Sequence, residues 1–148
     1  LNKHELITHC IGLLDEAIAD IKLQMRELVI NAENDSKSSA GDKHETGRAM
    51  MQLAQEQLGK QLLETEFKRT ALARLDVHAS ATQIGEGCLV VTNENTLLIG
   101  TALGKITFER APVFVISLQS PLAQLLLGKK SGDMVVFNQK QIKILSVS

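Results

Sequence analysis

Few side chains in this sequence have the types and spacing that chemistry needs, and most of those fall in one polar stretch. Asp42 and Glu45 stand three residues apart, with His44 between them and Lys37, Lys43 and Arg48 nearby. Asp-x-x-Glu is the spacing of a capping box, in which the first side chain accepts from an early helical amide and the second reaches back to the cap's own amide. A carboxylate engaged by backbone amides is a poorer metal ligand, so a capping pair and a free acid pair are competing readings. His44 invites a metal-site reading, and a solvated loop histidine is the simpler one. Elsewhere, Gly128-Lys129-Lys130-Ser131 superficially suggests a phosphate loop. It follows a helical run instead of opening one, Ala123 stands where the first glycine belongs, and Lys130 separates Lys129 from Ser131, which rules the motif out. The sequence shows no nucleophile-base pair, cofactor fingerprint or metal-ligand cluster, so a catalyst in its own right is a weak reading.

Composition narrows the field further. Sixteen Lys and Arg against 17 Asp and Glu give a net charge of -1, which sets up no global field for a polyanion. There is no Trp or Tyr, and Phe67, Phe108, Phe114 and Phe137 are the only aromatic rings besides histidine, so base-stacking platforms and aromatic-walled pockets are hard to build. Cys10 and Cys88 carry no metal-ligand spacing and read as small buried apolar residues. No apolar run reaches the length of a membrane span, and the first residues lack a signal-peptide core. The expected address is cytoplasmic.

The elements that must position these residues are legible in the periodicity. Ile7, Ile11, Leu14, Ile18, Ile21, Met25 and Leu28 step by four and three, a sustained seam that specifies a long helix with a partner. Between Asn31 and Gly47 the sequence is polar, small and rich in turn formers, so the first helix is expected to end there. A second helical stretch runs from about Thr46 to Leu75, with Met51, Ala54, Leu58, Leu62, Thr65 and Leu72 on one face and Leu63, Phe67 and Ala71 widening it. Two such helices joined by one polar turn fold back as an αα-hairpin, and about 25 helical residues extend roughly 40 Å. A rod of that length is expected to hold its tip away from its anchor.

Residues 76–83 read as a polar linker. Beyond them the texture changes to short β-branched runs at 88–92, 96–99, 113–117, 133–137 and 141–147, about five strands. One short helix is signalled among them: Ser120 can cap it, Pro121 takes the first helical position and Gly128 ends it. The expected fold class is α+β. Residues 1–75 form an antiparallel two-helix coiled coil, and residues 84–148 form a small, mostly antiparallel sheet wrapped on one helix.

The segment Ser120-Pro-Leu-Ala-Gln-Leu-Leu-Leu-Gly-Lys-Lys-Ser-Gly-Asp133 resembles the signature of the Gre-family transcript cleavage factors. There, Ser-Pro-hydrophobic-Ala precedes a Leu-rich turn and Gly-Lys-Lys-x-Gly-Asp. The resemblance implies an FKBP-like carboxy-terminal domain behind an amino-terminal antiparallel coiled coil. The polar stretch also resembles the family's tip pattern Gly-Asp-x-x-Glu-Asn, reading here Gly41-Asp42-Lys43-His44-Glu45-Thr46. The resemblance then implies that Asp42 and Glu45 enter the secondary channel of RNA polymerase and help hold a second Mg²⁺, so that water hydrolyses a backtracked RNA 3′ end. Mg²⁺ takes oxygen ligands and keeps several waters, so two added carboxylates suit a site that other groups complete. No metal is expected on the chain alone.

By the same resemblance Gln119, Ser120 and Pro121 would touch the polymerase rim, and Lys37, Lys43 and Arg48 would meet RNA phosphates, although solvated charge accounts for those three equally well. The family commonly has Ser, Asn and Tyr where His44, Thr46 and Ala49 stand, so the acid pair is kept without its usual supporting side chains. The function implied is that of an accessory factor, monomeric and not an enzyme, that supplies metal ligands to polymerase and meets the RNA 3′ end indirectly. Two alternatives stand beside it: a channel-binding regulator that inhibits or retunes polymerase without cleavage, and a coiled-coil interaction protein unrelated to polymerase. Prolyl isomerase activity would need an aromatic-walled pocket, and fold analogy alone is a weak warrant for it.

Overall fold

The computed structural model describes the backbone of residues 1–36 and 42–148 and the side chains of residues 1–34 and 46–148. The fold is α+β: two long amino-terminal helices pack together and are followed by a mixed six-stranded sheet with one short helix. Contacts divide the chain into two compact units, one of residues 12–69 and the other of residues 1–11 with 70–148.

In the first unit, α1 (Lys3–Ser36) and α2 (Asp42–Ala73) run antiparallel. Asp15 pairs with Arg69, and residues 24–31 face residues 54–61, so moving up one helix is moving down the other. The 4-3 seam of α1 is the packed face: Leu14 and Ile21 are buried, and Ile18, Met25 and Leu28 are half-buried. On α2 the expected seam positions Met51, Ala54, Leu58, Leu62 and Thr65 are half-buried, and Leu72 is buried. Leu63 and Phe67, expected to widen this face, are instead 70% and 77% exposed. At about 100° per residue they lie on the side opposite the seam, where a run of apolar letters does not amount to a shared face.

The helices also run further into the polar stretch than expected. α1 continues to Ser36 and α2 opens at Asp42, so only residues 37–41 separate them. The seam stops supplying large apolar residues after Leu28, but a helical ladder outlasts its stripe when the following residues, here with Ala32 and Glu33 among them, do not break it.

The second unit centres on the sheet, whose strand order is β3-β4-β2-β1-β6-β5. The strands are β1 (Leu89–Thr92), β2 (Thr96–Ile99), β3 (Gly104–Phe108), β4 (Ala111–Ile116), β5 (Met134–Phe137) and β6 (Lys140–Val147), with α3 (Pro121–Leu126) between β4 and β5. The sheet has one more strand than expected and is mostly antiparallel, as expected, with β2 and β4 its one parallel pair. The extra strand and the parallel pair have one cause. β3 runs out to the edge, and β4 returns between β3 and β2, so its direction is reversed relative to a simple β2-β4 hairpin. β3 was not among the expected strands although Lys105-Ile106-Thr107-Phe108 alternates, because four residues, with Ile106 buried and Phe108 half-buried on one face, make only the shortest alternation.

Alternation gives the sheet two covered faces. On one, Val90, Leu97, Ile99, Val135, Ile142 and Ile144 pack with Ala123 and Leu126 of α3. The opposite face carries Leu89, Leu98, Val113 and Val115, all 3% exposed or less, and the helix ends belonging to this unit bring Leu6, Ile7, Cys10 and Leu72 into the same buried set. His9 lies 5.3 Å from the Phe108 ring, and a Cβ placed on Gly100 would stand 3.0 Å from Leu72 Cδ2, which fixes where these ends sit on the sheet. Burying about 150 Å² of side chain at each such position, at about 25 cal/mol per Å², makes this the main source of cohesion in the unit.

Residues 76–83 form no helix or strand, yet they are tied down. Lys3 Nζ donates to Ala79 O at 2.9 Å, the His4 and His78 rings stack at 6.3 Å, and Ala81 packs against the core. The β3-β4 and β5-β6 hairpins turn on Glu109-Arg110 and Asn138-Gln139, each pair at φ near +50° and +66°. Those are type I′ turns, whose hand matches the strand twist.

Candidate functional site

The acidic stretch falls at the turn end of the first unit. The backbone of Asp42, Lys43 and Glu45 lies in the first turns of α2. Their side chains and that of His44 lie outside the described residues, as does Lys37 altogether. Arg48 is described and exposed on α2. The choice between a capping pair and an outward acid pair therefore falls on side chains outside the description. The backbone does place the two acids within one turn of each other at the start of a helix.

The second group of expected site residues is well defined. Ser120 caps α3, accepting from the Ala123 amide at 3.3 Å, and Pro121 follows at the first helical position with no amide to lose. Gln119 is exposed, and Ser117 organises it: Ser117 Oγ accepts from the Gln119 amide at 3.2 Å and donates to Gln119 Oε1. Gln124 Nε2 reaches back to Leu118 O at 2.7 Å. The turn is thus held from both sides, presenting Gln119 and Pro121 to solvent on a rigid base. Ser117 and Gln124 were not among the expected site residues. A serine two positions before the exposed residue of a turn is the local signal that points to Ser117.

These two groups belong to different compact units. Between the helices of the first unit, the ion pair of Asp15 and Arg69 is a further feature missed from sequence, because it needs the hairpin register. Arg69 Nε donates to Asp15 Oδ1, and Nη2 lies 3.4 Å from Oδ2. That hydrogen bond, with the guanidinium charge behind it, holds the Asp15 carboxyl below the usual carboxylate range. An open cleft of about 370 Å³ lies between the helices at Leu28, Ala54 and Leu58, rimmed by Gln24, Asn31, Gln57 and Gln61. Ala54 is too small to fill that layer of the seam.

Neither cysteine is an activated nucleophile by geometry. Cys10 is buried, and burial pushes its thiol up to about 11, the reverse of what a reactive thiolate needs. Among the described residues no three His, Cys, Asp or Glu side chains cluster as metal ligands, and no helix is long and apolar enough to cross a membrane. No protein-family model matches the sequence, and no curated protein matches it.

Proposed function

We propose that this chain is a Gre-like factor that binds RNA polymerase, presents the start of α2 in the secondary channel and promotes Mg²⁺-dependent cleavage of backtracked RNA. The observation that carries the reading is the helical hairpin itself. Two long antiparallel helices are joined across residues 37–41, and Asp42 and Glu45 fall in the helical turn directly after that connection. An acid pair at the closed end of a hairpin is where a narrow channel would admit it, and the capped turn at Ser117–Pro121 supplies a second, rigid contact for the rim of the same partner.

Asp42 and Glu45 would hold Mg²⁺ jointly with polymerase, since two carboxylates are the right donors for a hard cation and too few to keep it alone. When bound there, the ion would make the attacking water more acidic and offset the charge that develops on the phosphate. The chain's own contribution is to bring oxygen donors to a place it does not otherwise build. The test is a stalled, backtracked elongation complex. Wild-type chain should shorten RNA from its 3′ end, and Asp42→Ala and Glu45→Ala should each abolish that shortening. Undiminished cleavage in both variants would remove the acid-pair mechanism.

One observation favours a second reading. His44, Thr46 and Ala49 replace the side chains that usually support the acid pair in the family it resembles. A chain that enters the channel but lacks those supports would compete with cleavage factors and retune initiation. Binding to polymerase without RNA shortening, together with inhibition of a cleavage-competent factor, would select this reading.

A further inference from the structure

The face of α2 turned away from α1 carries a seam of its own. Ala49, Leu53, Glu56, Lys60, Leu63 and Phe67 step by four and three along the helix, all of them exposed and all within the hairpin unit. Leu53 is 56% exposed, and Leu63 and Phe67 more so. At about 100° per residue this stripe centres opposite Met51, Ala54, Leu58, Leu62 and Thr65, so packing on α1 leaves it bare. Apolar residues scattered singly on a surface are ordinary, but a heptad row sustained over about five turns is the pattern of a helix with a partner.

The order of residues within the stripe says which partner. In a second α2 laid antiparallel against the first, with the two-fold axis level with position 58, Leu53 meets Leu63, Lys60 meets Glu56 and Phe67 meets Ala49. Every layer is then complementary: leucine on leucine, base on acid, and the largest side chain on the smallest. A parallel pair in register would set Glu56 on Glu56 and Lys60 on Lys60. The two acids that flank the layers, Glu64 and Glu66, fall opposite Met50 and Gln52, so they meet no like charge. Among the described residues neither Glu56 nor Lys60 makes an ion pair, although they stand four apart on one helix. Leu53, Leu63 and Phe67 expose roughly 400 Å² of apolar surface per copy, so with the stems of Glu56 and Lys60 a pair buries on the order of 1,000 Å², the range of a weak, reversible interface.

We infer that α2 pairs with α2 of a second copy of this chain, antiparallel about position 58, through the stripe from Ala49 to Phe67. Charge selects the direction and the fit of large on small selects the register. The inference uses no part of the polymerase reading, and it departs from the single copy that the family resemblance implies.

The test is sedimentation equilibrium of the full chain from micromolar to millimolar concentration, with circular dichroism to check that each variant keeps its helices. Wild-type chain should pass from one copy to two with a dissociation constant on the order of 10–100 μM. Leu63→Lys and Phe67→Lys, at positions with little burial to lose, should each weaken pairing at least about tenfold. Glu56→Lys sets lysine on lysine in the charged layers and Lys60→Glu sets acid on acid, so each alone should weaken pairing about tenfold. An equimolar mixture of those two variants should pair at least as tightly as wild type, since every charged layer again joins a base to an acid. Three results would overturn the inference: a single copy at millimolar concentration, which would leave the stripe to the helix of a different protein; self-association untouched by Leu63→Lys and Phe67→Lys; or Glu56→Lys and Lys60→Glu chains that each pair as well as wild type.

Discussion

The end of α2 leaves little room at Gly100, and Gly100→Ala tests whether that contact limits how helix and sheet pack. A Cβ there would lie 3.0 Å from Leu72 Cδ2 and 3.3 Å from Leu75 Cδ1. That is tighter than nearly all real Cβ contacts, so the Leu72 methyl must retreat by a few tenths of an ångström. Leu72 is 0% exposed and has nowhere open to go. Overpacking of this kind costs about 1–3 kcal/mol, and the reduced freedom of the unfolded alanine chain returns about 0.4–1 kcal/mol. The net expectation is a loss of about 1–2 kcal/mol. Leu72→Ala alone should cost about 2–5 kcal/mol by opening a cavity, and in that background Gly100→Ala should become neutral or mildly stabilising because the clash is gone. Urea denaturation of the two single variants and the double variant measures the coupling. If Gly100→Ala costs the same with and without the Leu72 side chain, the close approach is not what limits the packing and the reasoning fails.

Three further outcomes are expected. Gln139→Gly should stabilise the β5-β6 hairpin by about 1 kcal/mol, since Gln139 sits at φ +66° where a Cβ is unfavourable and Asn-Gly suits a type I′ turn; a lower urea midpoint would contradict this. Ser120→Ala should cost about 1 kcal/mol by leaving the Ala123 amide without its cap, and thermal unfolding that matches wild type would show the cap to be idle. Because the Asp15 carboxyl is lowered in the folded chain, its pairing with Arg69 contributes above the unfolded value of about 3.9 and is lost as pH falls through the folded one. The difference in stability between wild type and Arg69→Ala should therefore be present at neutral pH, small for so exposed a pair, and should vanish in strong acid. A difference that persists unchanged there would rule the ion pair out as its source.

What the sequence determined by itself was whatever rests on neighbours along the chain. The 4-3 stepping from Ile7 to Leu28 set the buried face of α1, and Ser120, Pro121 and Gly128 set the limits of α3, because helical periodicity and capping act within a few residues. The position of the acid pair at the start of α2 was likewise close to legible, although α1 ran on to Ser36 beyond its apolar stripe.

Tertiary structure decided whatever depends on residues far apart in sequence. The pairing of Asp15 with Arg69 needs the hairpin register. Strand β3, whose alternation spans only Lys105 to Phe108, is paired along its length by β4, and its presence is what makes β2 and β4 parallel. The open edge at β5 is invisible in Met-Val-Val-Phe, since an edge is defined by the neighbour a strand lacks, and no local pattern of side chains encodes that.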